Sequence, residues 1–121
     1  MRKPILVVED QEDNRRILRD LLTNAGYEII EAENGEEALA VVARERPDLI
    51  LMDIQLPLLD GYEVTRRIKA DPALRAIRII AITSYALSGD ESKARAAGCD
   101  AYVTKPYSPR ALLAKIREYV P

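Results

Sequence analysis

Glu9 with Asp10, Asp53, Thr83 with Ser84, and Lys105 each close a short apolar run of the chain. Carboxylates brought close together repel and raise one another's pKa values; a divalent cation or a lysine relieves the conflict. Oxygen ligands with room for water suit Mg²⁺, or Mn²⁺, and not Zn²⁺. Acids, a hydroxyl and a lysine around such a cation make up a phosphoryl-transfer set, in which an aspartate can be the nucleophile. The rest of the composition removes most competing chemistry. There is no histidine, so no Ser-His-Asp site and no imidazole metal ligand. Cys99 is the single cysteine, which excludes an intrachain disulfide framework and a thiolate cage. With no Trp, no Phe, six Tyr and a net charge of −2, a broad nucleic-acid surface is not expected. Ile5 to Val8 is too short for a signal peptide or a membrane span, so a cytoplasmic protein is expected.

These residues converge only if the elements between them place them together. The runs Ile5–Val8, Glu28–Glu31, Leu49–Met52 and Ile79–Ile82, and a weaker one at Ala101–Thr104, are too short for helices and read as strands. Between them the period is helical. Ile17, Leu18, Leu21, Leu22 and Ala25 form one stripe; Leu112, Leu113, Ile116, Tyr119 and Val120 form another. Asp60 with Glu63 reads as a capping box, Ser108-Pro109 as an N-cap and first turn, and Gly26 and Gly98 as C-terminal caps. The alternation predicts a single (βα)5 domain over residues 1–121, with a parallel sheet and helices on both faces. Runs one, three and four are continuously apolar, as central strands are; runs two and five carry polar residues, as edges do. Right-handed crossovers then favour the order 2-1-3-4-5, the flavodoxin-like arrangement. That order reverses beside strands one and three, where ligands bind at the carboxyl ends. Glu9, Asp10 and Asp53 fall at that point, with Thr83 and Lys105 on the same edge.

Glu9-Asp10, Met52-Asp53-Ile54-Gln55-Leu56-Pro57, Asp60-Gly61, Thr83-Ser84 and Lys105-Pro106 together resemble the response-regulator receiver domain of two-component signalling. The likeness runs from Ile5 to Val120, and the Met52–Pro57 and Gly98–Tyr102 stretches look most like stand-alone receivers of the DivK type. The resemblance implies Asp53 as phosphoacceptor. It implies Asp10, Asp53 and the Gln55 backbone carbonyl as Mg²⁺ ligands, with Glu9 acting through water. Thr83 and Lys105 would each meet a phosphoryl oxygen, the Lys105-Pro106 peptide would be cis, and Thr83 and Tyr102 would form a coupled switch. Gln55 and Tyr85 would tune the lifetime of the acyl phosphate. A histidine kinase or histidine phosphotransfer protein would be the donor, and output would pass to a protein partner, not to nucleic acid or membrane. The chain would be a phosphoacceptor switch that assists its own phosphorylation and dephosphorylation, not an enzyme acting on a separate substrate.

Other residues have plainer readings. Glu12 and Asp13 read as solvated acids, Asp60 as an N-cap only, and Cys99 and Met52 as packed core. The fourth helical segment, around Ser88 to Ala97, has an apolar face of alanines after Leu87. Alanines anchor a helix less well than leucines, so this helix, the fifth strand and the fifth helix are expected to form the partner face, with Tyr102 as reporter. Alternatives are a phosphorelay intermediate or phosphate sink, and a flavin carrier on the same sheet order. The flavin reading wants a hydroxyl- and glycine-rich phosphate loop after the first strand; Glu9 to Asp13 is acidic there.

Overall fold

The computed structural model describes residues 3–84 and 90–120. Ten elements alternate along the chain: β1 (Ile5–Val8), α1 (Glu12–Asn24), β2 (Ile29–Ala32), α2 (Gly35–Glu45), β3 (Leu49–Asp53), α3 (Gly61–Ala70), β4 (Arg78–Thr83), α4 (Asp90–Ala97), β5 (Ala101–Thr104) and α5 (Pro109–Tyr119). The five strands form one parallel sheet in the order β2-β1-β3-β4-β5, as the apolar runs predict. β1 and β3 are buried at every position, because helices cover both faces. β2 begins at Ile29, not at Glu28, and is only half-buried until Ala32.

Strand alternation sends side chains to two cores. Leu6, Val8, Ile50, Met52, Ile79 and Ala81 meet α2, α3 and α4 through Val41, Val42, Val64, Ile68 and Ala94. Ile5, Val7, Leu49, Leu51, Ile80 and Ile82 meet α1 and α5 through Leu18, Leu22, Leu112 and Ile116. Asp60 Oδ1 accepts from the Glu63 N–H at 2.9 Å, Ser108 Oγ accepts from the Ala111 N–H at 3.3 Å, and Gly26 and Gly98 take positive φ. One apolar position is corrected. Ile17 belongs to the α1 stripe by period but is 56% exposed, because it sits where the stripe leaves the sheet and rims the cleft described below. No helix among the described residues is long and apolar enough to cross a membrane.

Candidate functional site

The carboxyl ends of β1, β3, β4 and β5 open onto a cleft of about 510 Å³, lined among others by Glu9, Asn14, Ile17, Asp53, Ser84 and Lys105. β1 and β3 are hydrogen-bonded neighbours, with Val8 opposite Met52, so Glu9 and Asp53 leave the sheet side by side. Glu9, Asp10 and Asp53 each present a carboxylate oxygen, all within 4.8 Å of one another. Glu9 and Asp53 are buried and Asp10 is exposed. Lys105 Nζ reaches between the buried pair, 3.4 Å from Glu9 Oε1 and 3.5 Å from Asp53 Oδ2. The Lys105-Pro106 peptide is cis. The sequence-predicted acids and lysine therefore meet in one place.

A donor set of clustered carboxylate oxygens with an exposed member fits a hard divalent cation such as Mg²⁺. Without a cation the cluster stores repulsion. Burial, a hydrogen bond that the protonated Glu9 carboxyl donates to Asp53, and the charge of Asp53 together push the Glu9 carboxyl up to about 7; Asn14 and Lys105 pull it the other way. Around neutral pH a proton and a cation would therefore compete for Glu9. Asn14, one turn into α1, reaches this carboxyl and was not among the sequence-predicted residues.

Asp53 is held from three sides. Its Oδ1 accepts from the Gln55 N–H at 2.9 Å, Lys105 faces Oδ2, and Gly61 abuts its backbone. A Cβ at Gly61 would lie 2.6 Å from the Asp53 carbonyl oxygen, so only glycine lets α3 begin this close. Thr83 ends β4 with its side chain fully buried. Its Oγ1 accepts from Gln55 Nε2 at 2.6 Å, a contact that strand reading does not forecast. Tyr102 lies in β5 opposite Ala81, half-buried against the core beneath α4. Tyr85 falls outside the described residues, as do Leu87 and Ser88.

A second missed residue stands behind the acid wall. Arg15 on α1 is 6% exposed. Its Nη1 donates to the Glu9 carbonyl oxygen at 2.8 Å. Its remaining nitrogens pair with Glu12, with Glu31 at 3.3 Å and with Glu33 at 3.2 Å. Glu12 is therefore not a simply solvated acid, since Arg19 also holds it at 3.2 Å. A charged residue on a helix gives no periodic sign of turning inward. Asp13 is an exposed acid paired with Arg16.

Residues 5–117 match the response regulator receiver domain. The polar-differentiation response regulator DivK of Brucella anthropi is 48% identical over 120 residues, covering 99% of this chain and 98% of that protein. The receiver domain of the sensor histidine kinase PA1611 from Pseudomonas aeruginosa, solved with a magnesium ion coordinated in its active-site cleft, is 36% identical, with a TM-score of 0.90 and 98% of each chain covered. The receiver domain of Ssk1 from Saccharomyces cerevisiae, solved with the histidine phosphotransfer protein Ypd1, is 32% identical, with a TM-score of 0.90 and coverage of 98% of this chain and 88% of that one. Sheet order, acid cluster and relatives agree, and the flavin alternative falls away: this chain belongs to the response regulator receiver domain family, the signalling switches of two-component systems.

Proposed function

We propose that Asp53 accepts a phosphoryl group from a phosphohistidine and that residues 1–121 work as one phosphorylation-controlled binding switch. The observation that carries this reading is the buried Asp53 carboxylate flanked by the Glu9–Asp10 acids on one side and Lys105 Nζ at 3.5 Å on the other. An Asp53 oxygen attacks phosphorus; the P–N bond breaks and its electron pair leaves with the imidazole nitrogen. Lys105 neutralises a phosphoryl oxygen and Thr83 donates its hydroxyl hydrogen to another. Asp10, Asp53 and the Gln55 carbonyl are the residues that would hold Mg²⁺, with Glu9 acting through water. When bound, the cation neutralises charge on the phosphoryl oxygens. Hydrolysis later returns the carboxylate: water attacks phosphorus and the acyl oxygen leaves. The same residues would assist that step, with Gln55 and Tyr85 tuning the lifetime.

The donor is a histidine kinase or histidine phosphotransfer protein in the cytoplasm, a compartment that the free Cys99 thiol suits. Output passes through α4, β5 and α5. Two features support that face: α4 buries only Ala94 and Ala97 among its described side chains, and Tyr102 sits on the half-buried edge strand two residues short of the Thr83 pairing. The test is labelling by a phosphohistidine donor or by acetyl phosphate in the presence of Mg²⁺. Wild-type protein should label on the peptide carrying Asp53, and Asp53→Asn should not label. Undiminished label on Asp53→Asn, mapped to another aspartate, would sink the assignment.

A further inference from the structure

Gln55 touches both the acceptor and the switch. Its backbone N–H donates to Asp53 Oδ1 at 2.9 Å. Its side chain crosses to the end of β4, where Nε2 donates to Thr83 Oγ1 at 2.6 Å and Oε1 accepts from the Ser84 N–H at 3.0 Å. The orientation of the amide follows from chemistry. A backbone N–H can only donate, so the oxygen faces Ser84 and the NH₂ group is left for Thr83. One planar amide is thus spent on two consecutive residues at the strand end from which the β4–α4 connection leaves. Thr83 is fully buried, and this bond is one of the contacts that hold its oxygen in place.

We propose that Gln55 is a positioning residue that clamps Thr83 and Ser84 in the resting state, so that the clamp opens as Thr83 turns to a phosphoryl group on Asp53. The proposal rests on the reading of Asp53 and Thr83 given above. A threonine hydroxyl carries one hydrogen and two lone pairs. The Gln55 NH₂ occupies a lone pair and fixes the oxygen's position; movement of that oxygen toward Asp53 lengthens the bond. The Ser84 bond resists the same movement, because Ser84 follows Thr83 along the backbone. Both bonds stabilise the resting arrangement and neither is required once the hydroxyl serves the phosphoryl group. The clamp therefore biases the two-state equilibrium toward rest, and the binding of anything that selects the other state is weakened by the same factor.

The test is isothermal titration with beryllofluoride in the presence of Mg²⁺, a mimic of the acyl phosphate. Gln55→Leu and Gln55→Ala both remove the amide, one keeping its bulk and one not. Each should bind beryllofluoride more tightly than wild type, by about tenfold for two lost hydrogen bonds. In a Thr83→Ala background, where one of the two bonds is already gone, the gain from Gln55→Leu should be clearly smaller. Variants that bind no more tightly than wild type overturn the clamp while leaving Asp53 as acceptor. So does a gain seen with only one of the two substitutions, or an equal gain in both Thr83 backgrounds. Wild-type protein that fails to bind beryllofluoride overturns the clamp together with the reading beneath it.

Discussion

Two walls of the molecule, α1 on one face of the sheet and α4 on the other, are built from different material. On the α1 side Leu18 and Leu22 are buried in the core, and Arg15 and Arg19 stitch the helix to β2. Arg19 holds Glu31 through two hydrogen bonds of 2.8 Å, and Arg15 runs inward to the Glu9 carbonyl oxygen. On the α4 side the described buried side chains of the helix are Ala94 and Ala97, and its ion pair, Arg95 with Glu91 at 3.4 Å, is exposed. Full burial of a leucine contributes roughly 1.5–3 kcal/mol at about 25 cal/mol per Å², and alanine far less. The fixed wall follows directly on Glu9 and Asp10, whose spacing from Asp53 would set affinity for a cation. The lightly anchored wall follows Thr83 and neighbours Tyr102, where the proposed switch would read out a phosphoryl group on Asp53.

Truncation on the α1 side should cost most. Leu22→Ala leaves a cavity in a fully buried site, and urea unfolding should show a loss of about 3 kcal/mol. Ala94→Gly on α4 removes no leucine-sized contact and should cost about 1 kcal/mol, near the helix-propensity value. Equal losses would erase the contrast between the walls.

Arg15→Met should rank between them, at about 2 kcal/mol, because it orphans the buried Glu9 carbonyl and releases Glu12, Glu31 and Glu33. The glutamates are partly exposed, so little of that loss is Coulombic. A neutral Arg15→Met variant would show that α1 is held by its leucines alone.

The smallest effect is a pH dependence that distinguishes the pocket from the surface of the same wall. Metal-free, Glu9 is raised from 4.5 to about 7 by burial and by Asp53. The folded state then binds the proton more tightly than the unfolded chain. This contribution is fully present below about 4.5 and is lost as pH rises through about 7. Glu12 and Glu31 are shifted the other way, chiefly by hydrogen bonds from Arg19. Their contribution is present above 4.5 and is lost as pH falls below it. Of these three, Glu9 alone titrates between about pH 5 and about pH 8, so the urea midpoint of metal-free protein should fall across that window. Saturating Mg²⁺ should flatten the fall, and a midpoint that rises without metal would contradict the buried acid pair.

Much of this was legible in the sequence, for a physical reason. Strands buried on both faces have no choice but continuous apolar runs, so β1, β3 and β4 and their polar ends could be located, and the sheet order then brought Glu9, Asp10, Asp53, Thr83 and Lys105 together. Ile17 shows the limit of period, which marks the face a residue shares and not where that face runs out into solvent. Arg15 and Gln55 mark a second limit. A buried guanidinium aimed at a backbone carbonyl and an amide bridging two loops depend on side-chain reach across 28 residues or between elements, and no local pattern encodes it. Gly61 was visible as part of a motif, while its reason, a contact of 2.6 Å between its absent Cβ and the Asp53 carbonyl, needed the fold.

The difference between the walls is tested most directly by amide hydrogen exchange with and without beryllofluoride in the presence of Mg²⁺. Exchange should change across α4, β5 and the connection to α5, residues 90–107, and stay nearly constant across α1 and β2, residues 12–32, beyond the immediate metal site. Changes concentrated in residues 12–32 with residues 90–107 unaffected would contradict a switch that is read out on the α4 side.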